Sequence, residues 1–339
     1  MIDQNKKVRI LCLRIDEKQA SYRYRIKQFE PYWSTHNIEF VDRLIVGQSF
    51  IKRWKLINEA GDFDFVLLQR KTLSAIFIRK IKRKSRLIYD YDDALYAVES
   101  YKKSKPKDSQ PGSKTMIRRL NFILKKADMV FAGSPALKAY SEKFSQNVFL
   151  VPTSLPVPKI HETIEKSDQI RIGWIGNRAN LFFLNHIDDP LYRIQIEHPN
   201  VIFTVMCSDL PIETRTQWKL TKWSKESEQE WLESIDIGLM PLEDDEWSRG
   251  KCAFKLIQYM SYKKAVIGSA VGANMDAIQN DISGYLVRTE NEWYNALKRL
   301  IENHKKRIEM GEAGFNLFKE KYEIKSTLQH INDIIRQHI

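Results

Sequence analysis

Cysteine is scarce in this 339-residue chain: only Cys12, Cys207 and Cys252 occur, far apart and without a Cys-x-x-Cys pair. That excludes a disulfide framework and a cysteine-built zinc site, and fits reduced thiols in a cytoplasmic protein. No run of about eighteen apolar residues is present, so no segment reads as a membrane span. The opening "MIDQNKKVRILCLRI" leads straight into a strand-like run, so no secretory leader is expected. The seven histidines are scattered. No HExxH, no Ser/His/Asp set, no Walker lysine in a glycine-rich loop and no GxGxxG fingerprint appears. Zinc hydrolase, serine hydrolase and P-loop chemistry are therefore unsupported.

What the chain does have is charge, unevenly spread. Its net charge is +12. Residues 1–150 carry 31 Lys/Arg against 16 Asp/Glu, whereas residues 151–339 carry 24 against 27. All the excess positive charge lies in one half, which suggests two domains that meet different partners. The densest clusters are "RKIKRKSR" (79–86), "YKKSKPK" (101–107) and "IRRLNFILKK" (117–126). Nucleic acid, anionic lipid headgroups or an anionic polysaccharide each answer to such a half, and a solvated helix face answers to any one cluster alone.

The hydrophobic fraction of 43% is enough for a substantial core. Strand-like and helix-like segments alternate through the first half: "VRILCLRI" (8–15), a helical "YRYRIKQFEPYW" (22–33), "IEFVDRLI" (38–45), a helix through "FIKRWKLINEA" (50–60), "DFVLLQR" (64–70), a basic amphipathic helix "LSAIFIRKIKRK" (73–84), and "SRLIYDYDDAL" (85–95). A helix at 116–127, "DMVFAGS" (128–134) and "PALKAYSEKF" (135–144) follow. The alternation restarts at "IRIGWIG" (170–176) and "VIFTVMC" (201–207). A connection through "WKLTKWSKES" then leads to the helix 227–235, the strand "DIGLMPL" (236–242), a helix from about 250, and "AVIGSAVGA" (265–273). This pattern predicts an α/β protein of two doubly wound, Rossmann-like domains facing across a cleft and joined near 151–169. Ligands in such sheets bind beyond the carboxyl ends of the strands.

Four stretches could line such a site. In "IGWIGNRAN", Gly176 ends a strand and allows close backbone approach, while Asn177 and Arg178 offer donors; a plain strand–helix turn reads equally well. "LMPLEDDEWSRGKCAFKLIQYM" runs from a strand through an acidic loop into a helix whose first turns carry Lys251 and Lys255. At a spacing of four, these lysines fall on one helical face beside amides that already favour anions. A diphosphate explains them, as does pairing with Asp244, Asp245 or Glu246; Gln258 continues the polar stripe and favours the ligand. In "IYDYDDALY", clustered carboxylates including Asp92 and Asp93 suit Mg²⁺ or a substrate hydroxyl, and equally a helix cap. Arg23 and Arg25 in "ASYRYRI" suit an anionic acceptor or plain surface positions.

The chain resembles bacterial glycosyltransferases of the GT-B fold, close to the retaining family 4 enzymes. The stretches that carry the resemblance are "ASYRYRIKQFEPYW", "FVLLQRK", "LIYDYDDALY", "VFAGSPALKAY", "VFLVPTSLPV", "IRIGWIGN" and above all "DIGLMPLEDDEWSRGKCAFKLIQYMSYKKAVIGSAVGAN". The resemblance implies an acceptor-binding domain at 1–155, a nucleotide-sugar domain at 156–320, and a terminal helix at 321–339 packing back on the first domain. It implies hexosyl transfer from a UDP- or GDP-linked sugar to a hydroxyl of a cell-surface glycan or lipid-linked acceptor. The nucleotide sugar is a co-substrate, and neither a cofactor nor a metal is needed. Gly176, Asn177, Arg178, Lys251 and Lys255 would lie against the diphosphate, Trp223 near the base and Gln258 at the ribose. Lys251 and Lys255 would steady the departing charge, Asp92 or Asp93 would orient the acceptor, and Arg23 and Arg25 would bind it. The family's Glu-x7-Glu acids fall here at Gly250 and Gln258, so the first is missing and the second is an amide. The basic half implies a place in the cytoplasm against an anionic inner membrane face. Two rival readings stand beside this one: a catalytically silent GT-B subunit that binds a glycan or a partner enzyme, and a nucleic-acid-binding protein. The basic clusters lack the interleaved aromatics that nucleic-acid binding calls for, so no nucleic-acid partner is expected.

Overall fold

The computed structural model describes residues 7–102, 104–160 and 168–339. Lys103 of the basic run 101–107, and residues 161–167 of the expected join, lie outside them. The chain divides into two compact units. Unit 1 comprises Met1–Ser154, Arg249–Cys252 and Ile324–Ile339; unit 2 comprises Leu155–Ser248 and Ala253–Glu323.

Unit 1 is built on β1 (Val8–Arg14), β2 (Ile38–Leu44), β3 (Phe65–Gln69), β4 (Arg86–Tyr91), β5 (Met129–Ala132) and β6 (Val148–Leu150). All pair in parallel in the order β2-β1-β3-β4-β5-β6. β3 and β5 are buried along their whole length and, but for Gln69 at the end of β3, apolar, as strands covered on both faces are. On one face, Ile10, Cys12, Phe65, Leu67, Ile88 and Phe131 share a core with Phe29, Trp33 and the helix Ile324–Gln337. That helix contributes Ile324, Leu328, Ile331 and Ile335, whose spacing of three and four makes one apolar stripe.

Unit 2 repeats the scheme with β7 (Ile170–Ile175), β8 (Val201–Cys207), β9 (Trp218–Lys222), β10 (Ile237–Met240), β11 (Ala265–Ser269) and β12 (Tyr285–Val287). Its order is β12-β11-β10-β7-β8-β9, again all parallel. Read from β9, this is the 3-2-1-4-5-6 order of nucleotide-binding sheets, which places a topological switch point between β7 and β10. In unit 1 the corresponding reversal lies between β1 and β3. The α/β class with two Rossmann-like, doubly wound sheets is therefore the one the sequence predicts.

Three local expectations fail, each for a physical reason. The helix expected over 22–33 is broken into Ala20–Arg25, a 3-10 turn Lys27–Phe29 and Glu30–Trp33, with Ile26 outside helical geometry and proline in the first turn of the last piece. The connection "WKLTKWSKES" contains β9, an edge strand whose residues are mostly polar and exposed, so it lacks the apolar run by which strands are recognised. Lys251 and Lys255 do not share a helical face. The helix runs Phe254–Ser261, and Ala253 before it has φ 52°, so the chain turns sharply between the two lysines. Lys251 belongs to unit 1 and Lys255 to unit 2.

Tyr259 fixes the switch point of unit 2. Its ring is wholly buried, its hydroxyl oxygen accepts the Ile175 N–H at 3.0 Å, and it donates to the Leu239 carbonyl at 3.4 Å. The ends of β7 and β10 are thereby tied to the helix carrying Lys255. Tyr259→Phe strands the Ile175 amide and costs about 1–3 kcal/mol of stability, to be read in chemical denaturation. An unchanged midpoint would show that this tie contributes nothing.

Candidate active site

In unit 2, Lys255 is seated by Gly176. A side-chain carbon added at Gly176 would lie 2.6 Å from the Trp174 ring and 3.0 Å from Lys255 Cε, so the space a larger residue needs is filled by those two groups. The Lys255 ammonium stands 5.3 Å from the centroid of the buried Trp174 ring, a cation–π contact. The Gly176 N–H is not a donor for a ligand, because it pairs with Met206 O at 3.1 Å. The glycine's part is to let the lysine stem come close. Asn177 and Arg178 follow at the start of a 3-10 turn, Arg178–Leu181. Arg178 is 79% exposed, with its Nε 3.4 Å from Asp209, so it is held only at the surface.

A second group on the same unit was not expected from the sequence. Glu228, in the first turn of the helix Lys225–Ser234, accepts from Gln258 Nε2 at 3.0 Å and from the Trp223 indole N–H. Gln258 is buried and Trp223 is 41% exposed. One carboxylate thus joins the two residues assigned to the base and ribose. The helix itself is set by a capping box in which Ser224 and Ser227 exchange bonds with each other's backbone. Glu228 could have been singled out only by knowing that its helix start lies beside Gln258, which is 30 residues away in sequence.

In unit 1, the carboxylates after β4 divide into two kinds. Asp90 pairs with Arg25: Arg25 Nη2 lies 2.5 Å from Asp90 Oδ1 and Nε within 3.1 Å of both oxygens, while Nη1 donates to Val151 O and Thr153 Oγ1. Burial opposes the Arg25 charge, but the Asp90 carboxylate more than offsets it and holds the guanidinium pKa above its ordinary value. Arg25 is buried with these bonds made, so its assignment to an acceptor is corrected to a structural one. Arg23 is half-buried, with its guanidinium 5.2 Å from the Tyr24 ring centroid.

Asp92 and Asp93 meet Arg70, at the carboxyl end of β3. Arg70 Nη2 is 2.5 Å from Asp93 Oδ2, and its Nε is 3.9 Å from Asp92 Oδ1. Burial pushes the Asp93 carboxyl above its ordinary range, while Arg70 and Lys251 pull it down and Asp92 raises it. Asp92 Oδ1 is buried and takes no hydrogen bond among the described residues. Arg70 has φ 55° and its second Nη lies 3.3 Å from Gln19 Oε1 and 3.4 Å from Ser21 Oγ, so it occupies the β1/β3 switch point. Its signal in the sequence was an arginine closing an otherwise apolar strand, "DFVLLQR". Among the described residues no three His, Cys, Asp or Glu side chains converge as metal ligands.

The glycine at position 250, where the resemblance leads one to expect an acid, has a local cause. A side-chain carbon at Gly250 would sit 2.5 Å from Ala94 Cβ, just beyond the Asp92–Asp93 pair. Ser134 Oγ donates to Gly250 O at 3.1 Å, and Cys252 Sγ to Asp92 O at 3.2 Å, so this segment is clamped against unit 1. No glutamate fits there.

This arrangement, two six-stranded parallel sheets with cations and carboxylates at their switch points, defines a GT-B fold. Residues 171–303 match the family model described as Glycosyl transferases group 1. Solved structures resemble nearly the whole chain. Alr3699/HepE from Anabaena, in complex with UDP and glucose, aligns with a TM-score of 0.72 at 14% identity over 97% of this chain and 99% of that one. Sucrose-phosphate synthase (tll1590) from Thermosynechococcus elongatus aligns with a TM-score of 0.74 at 12% identity over 98% and 99%. The apo form of the lipopolysaccharide outer core galactosyltransferase WaaB aligns with a TM-score of 0.64 at 14% identity over 98% and 100%. Among curated proteins none matches the chain. The resemblance to GT-B glycosyltransferases holds at the level of fold.

Gly250→Ala is expected to cost about 1–3 kcal/mol through overpacking. Pairing it with Ala94→Gly should recover much of that loss. Denaturant midpoints of the two single variants and the double variant check this; additive losses would show that Ala94 is not the obstacle.

Proposed function

We propose that this chain is a glycosyltransferase that moves a hexosyl group from a nucleoside-diphosphate sugar to an acceptor hydroxyl, with retention of anomeric configuration and without a metal. The observation that carries this reading is Lys255 seated against Gly176 and Trp174 at the β7/β10 switch point, inside the segment matched by the glycosyl transferases group 1 model. A partly desolvated ammonium at a strand-end crevice suits a diphosphate. In this reading the bond from the sugar C1 to the diphosphate oxygen breaks, the acceptor oxygen bonds C1 from the same face, and the hydroxyl proton passes to the departing diphosphate oxygen. Negative charge growing on the terminal phosphate is met by Lys255, with Arg178 and Asn177 offering further donors. Retention follows the resemblance to family 4.

Trp223 and Gln258 would hold the nucleoside, and Glu228 restores a carboxylate to the ribose side where the family's second acid is replaced by an amide. Unit 1 would take the acceptor, a lipid-linked or cell-surface glycan. Asp92 Oδ1, buried and lacking a donor, is suited to accept the acceptor hydroxyl's hydrogen bond, while Asp93 is held by Arg70. Lys251, which moderates Asp93, belongs to this group rather than with Lys255. The cytoplasm, where nucleotide sugars are made, is the corresponding location.

Thermal shift against UDP, GDP, ADP, TDP and CMP tests the donor side. A diphosphate present at a hundred times its Kd adds about 2.7 kcal/mol to the native state and raises Tm by a few degrees. One nucleoside diphosphate should do this; Lys255→Ala should abolish the shift, and Glu228→Gln should weaken affinity about tenfold, which roughly halves the shift at the same nucleotide concentration. Flat curves with every nucleotide would leave the silent subunit as the better account.

A further inference from the structure

The basic half carries an apolar surface that its charge clusters alone did not reveal. The helix Phe50–Asn58 packs beside the helix Ala75–Lys82. Phe50 and Trp54, one turn apart, gather with Phe77 at ring-centroid distances of 5.0–6.4 Å. Instead of closing over a core, this cluster opens to solvent: Phe50 is 55% exposed, Trp54 37%, and the neighbouring Ile51 and Ile76 are 68% and 48% exposed. The same two helices and the turn after the second expose Lys52, Lys55, Arg79, Arg83 and Lys84, while Lys82 pairs with Asp128 outside the face; residues 50–58 and 75–84 themselves contain no Asp or Glu. Lys80 lies over the Trp54 ring, 3.3 Å from its centroid, and donates to the Trp54 carbonyl, so the cation rim is built into the aromatic patch.

We propose that this two-helix face seats the protein on an anionic lipid bilayer, with Phe50, Ile51, Trp54 and Ile76 entering the headgroup–acyl boundary and the surrounding lysines and arginines meeting lipid phosphates. Charge complementarity commits the surface to an anionic partner. Its exposed aliphatic side chains distinguish a bilayer from a soluble polyanion, which has no hydrocarbon in which to bury them. The tryptophan with a lysine over its ring has the composition of a membrane-interface anchor. Among the described residues no helix is long and apolar enough to cross a membrane, so contact of this kind is peripheral. The inference deepens the acceptor reading of unit 1 and rests on it for its purpose, since a lipid-linked acceptor would lie at that surface.

The full chain would be sedimented with phosphatidylcholine vesicles, with and without phosphatidylglycerol, in the absence of nucleotide. Binding is expected only with the anionic lipid and should weaken with salt. Ile51→Asp places an acid in the first turn of an exposed helix, where it does not disturb the fold. It should lower vesicle affinity by about tenfold or more. Ile212→Asp, at an isoleucine 74% exposed in unit 2, serves as the control and should bind as the unaltered chain does. Failure of the unaltered chain to bind anionic vesicles overturns the proposal. So does undiminished binding of Ile51→Asp, or binding to DNA or heparin as tight as to vesicles. Because nucleotide is absent, none of these outcomes depends on the donor site, and the nucleotide thermal shift stands or falls separately.

Discussion

A lysine ammonium held beside a buried tryptophan, at a glycine with no room for a side chain, is the constraint on which unit 2 depends. Gly176 is needed because Trp174 and the stem of Lys255 occupy the space beyond its Cα. Tyr259 ties the same helix to the ends of β7 and β10, so the lysine's height above the sheet is set by the fold and not by its own rotamer alone. A cation fixed in this way needs little reorganisation when negative charge develops nearby, which is how preorganised electrostatics lowers a barrier. On the same unit Glu228 links Gln258 and Trp223, the residues that would hold the nucleoside in the proposed function.

Unit 1 uses its charges differently. The Arg25–Asp90 pair joins the first helix, β4 and the segment at Val151–Thr153 in one buried network. Removing one member of such a pair leaves an uncompensated charge, and it is this penalty that keeps the pair in place. With Arg25 committed, it is Arg70 and the half-buried Asp92–Asp93 pair that stand at the reversal of strand order. Gly250 is packed against Ala94, where a larger side chain would clash, and Lys251 beside it lies within the electrostatic reach of Asp93.

The alternation of strands and helices was legible because short apolar runs such as "FVLL" and "AVIG", rich in β-branched or aromatic residues and bounded by turn signals, read as buried parallel strands. β9 was not legible, since an edge strand with polar residues on both faces has no hydrophobic pattern to show. Gly176, Lys255 and Gln258 could be singled out from strand ends and helix starts. The separation of Lys251 from Lys255 could not, because it turns on a positive φ at Ala253, a residue with no propensity for it. Arg25 was singled out and Arg70 was not: two arginines look alike in sequence, and only burial shows that Arg25 has its partners inside the fold. Glu228 and the Phe50–Trp54–Phe77 patch depend on contacts between helices distant in sequence or on which face remains uncovered, neither of which periodicity reports.

The central claim, that the Gly176–Lys255 site of unit 2 holds a nucleoside diphosphate, is tested most directly by ³¹P NMR of each candidate nucleotide titrated with the protein. The account predicts that one nucleoside diphosphate shows a saturable shift and broadening, largest at its terminal phosphate, and that the corresponding monophosphate responds far less. Phosphorus resonances that stay sharp and unmoved for every nucleotide, at protein concentrations where vesicle binding and fold are intact, would contradict it.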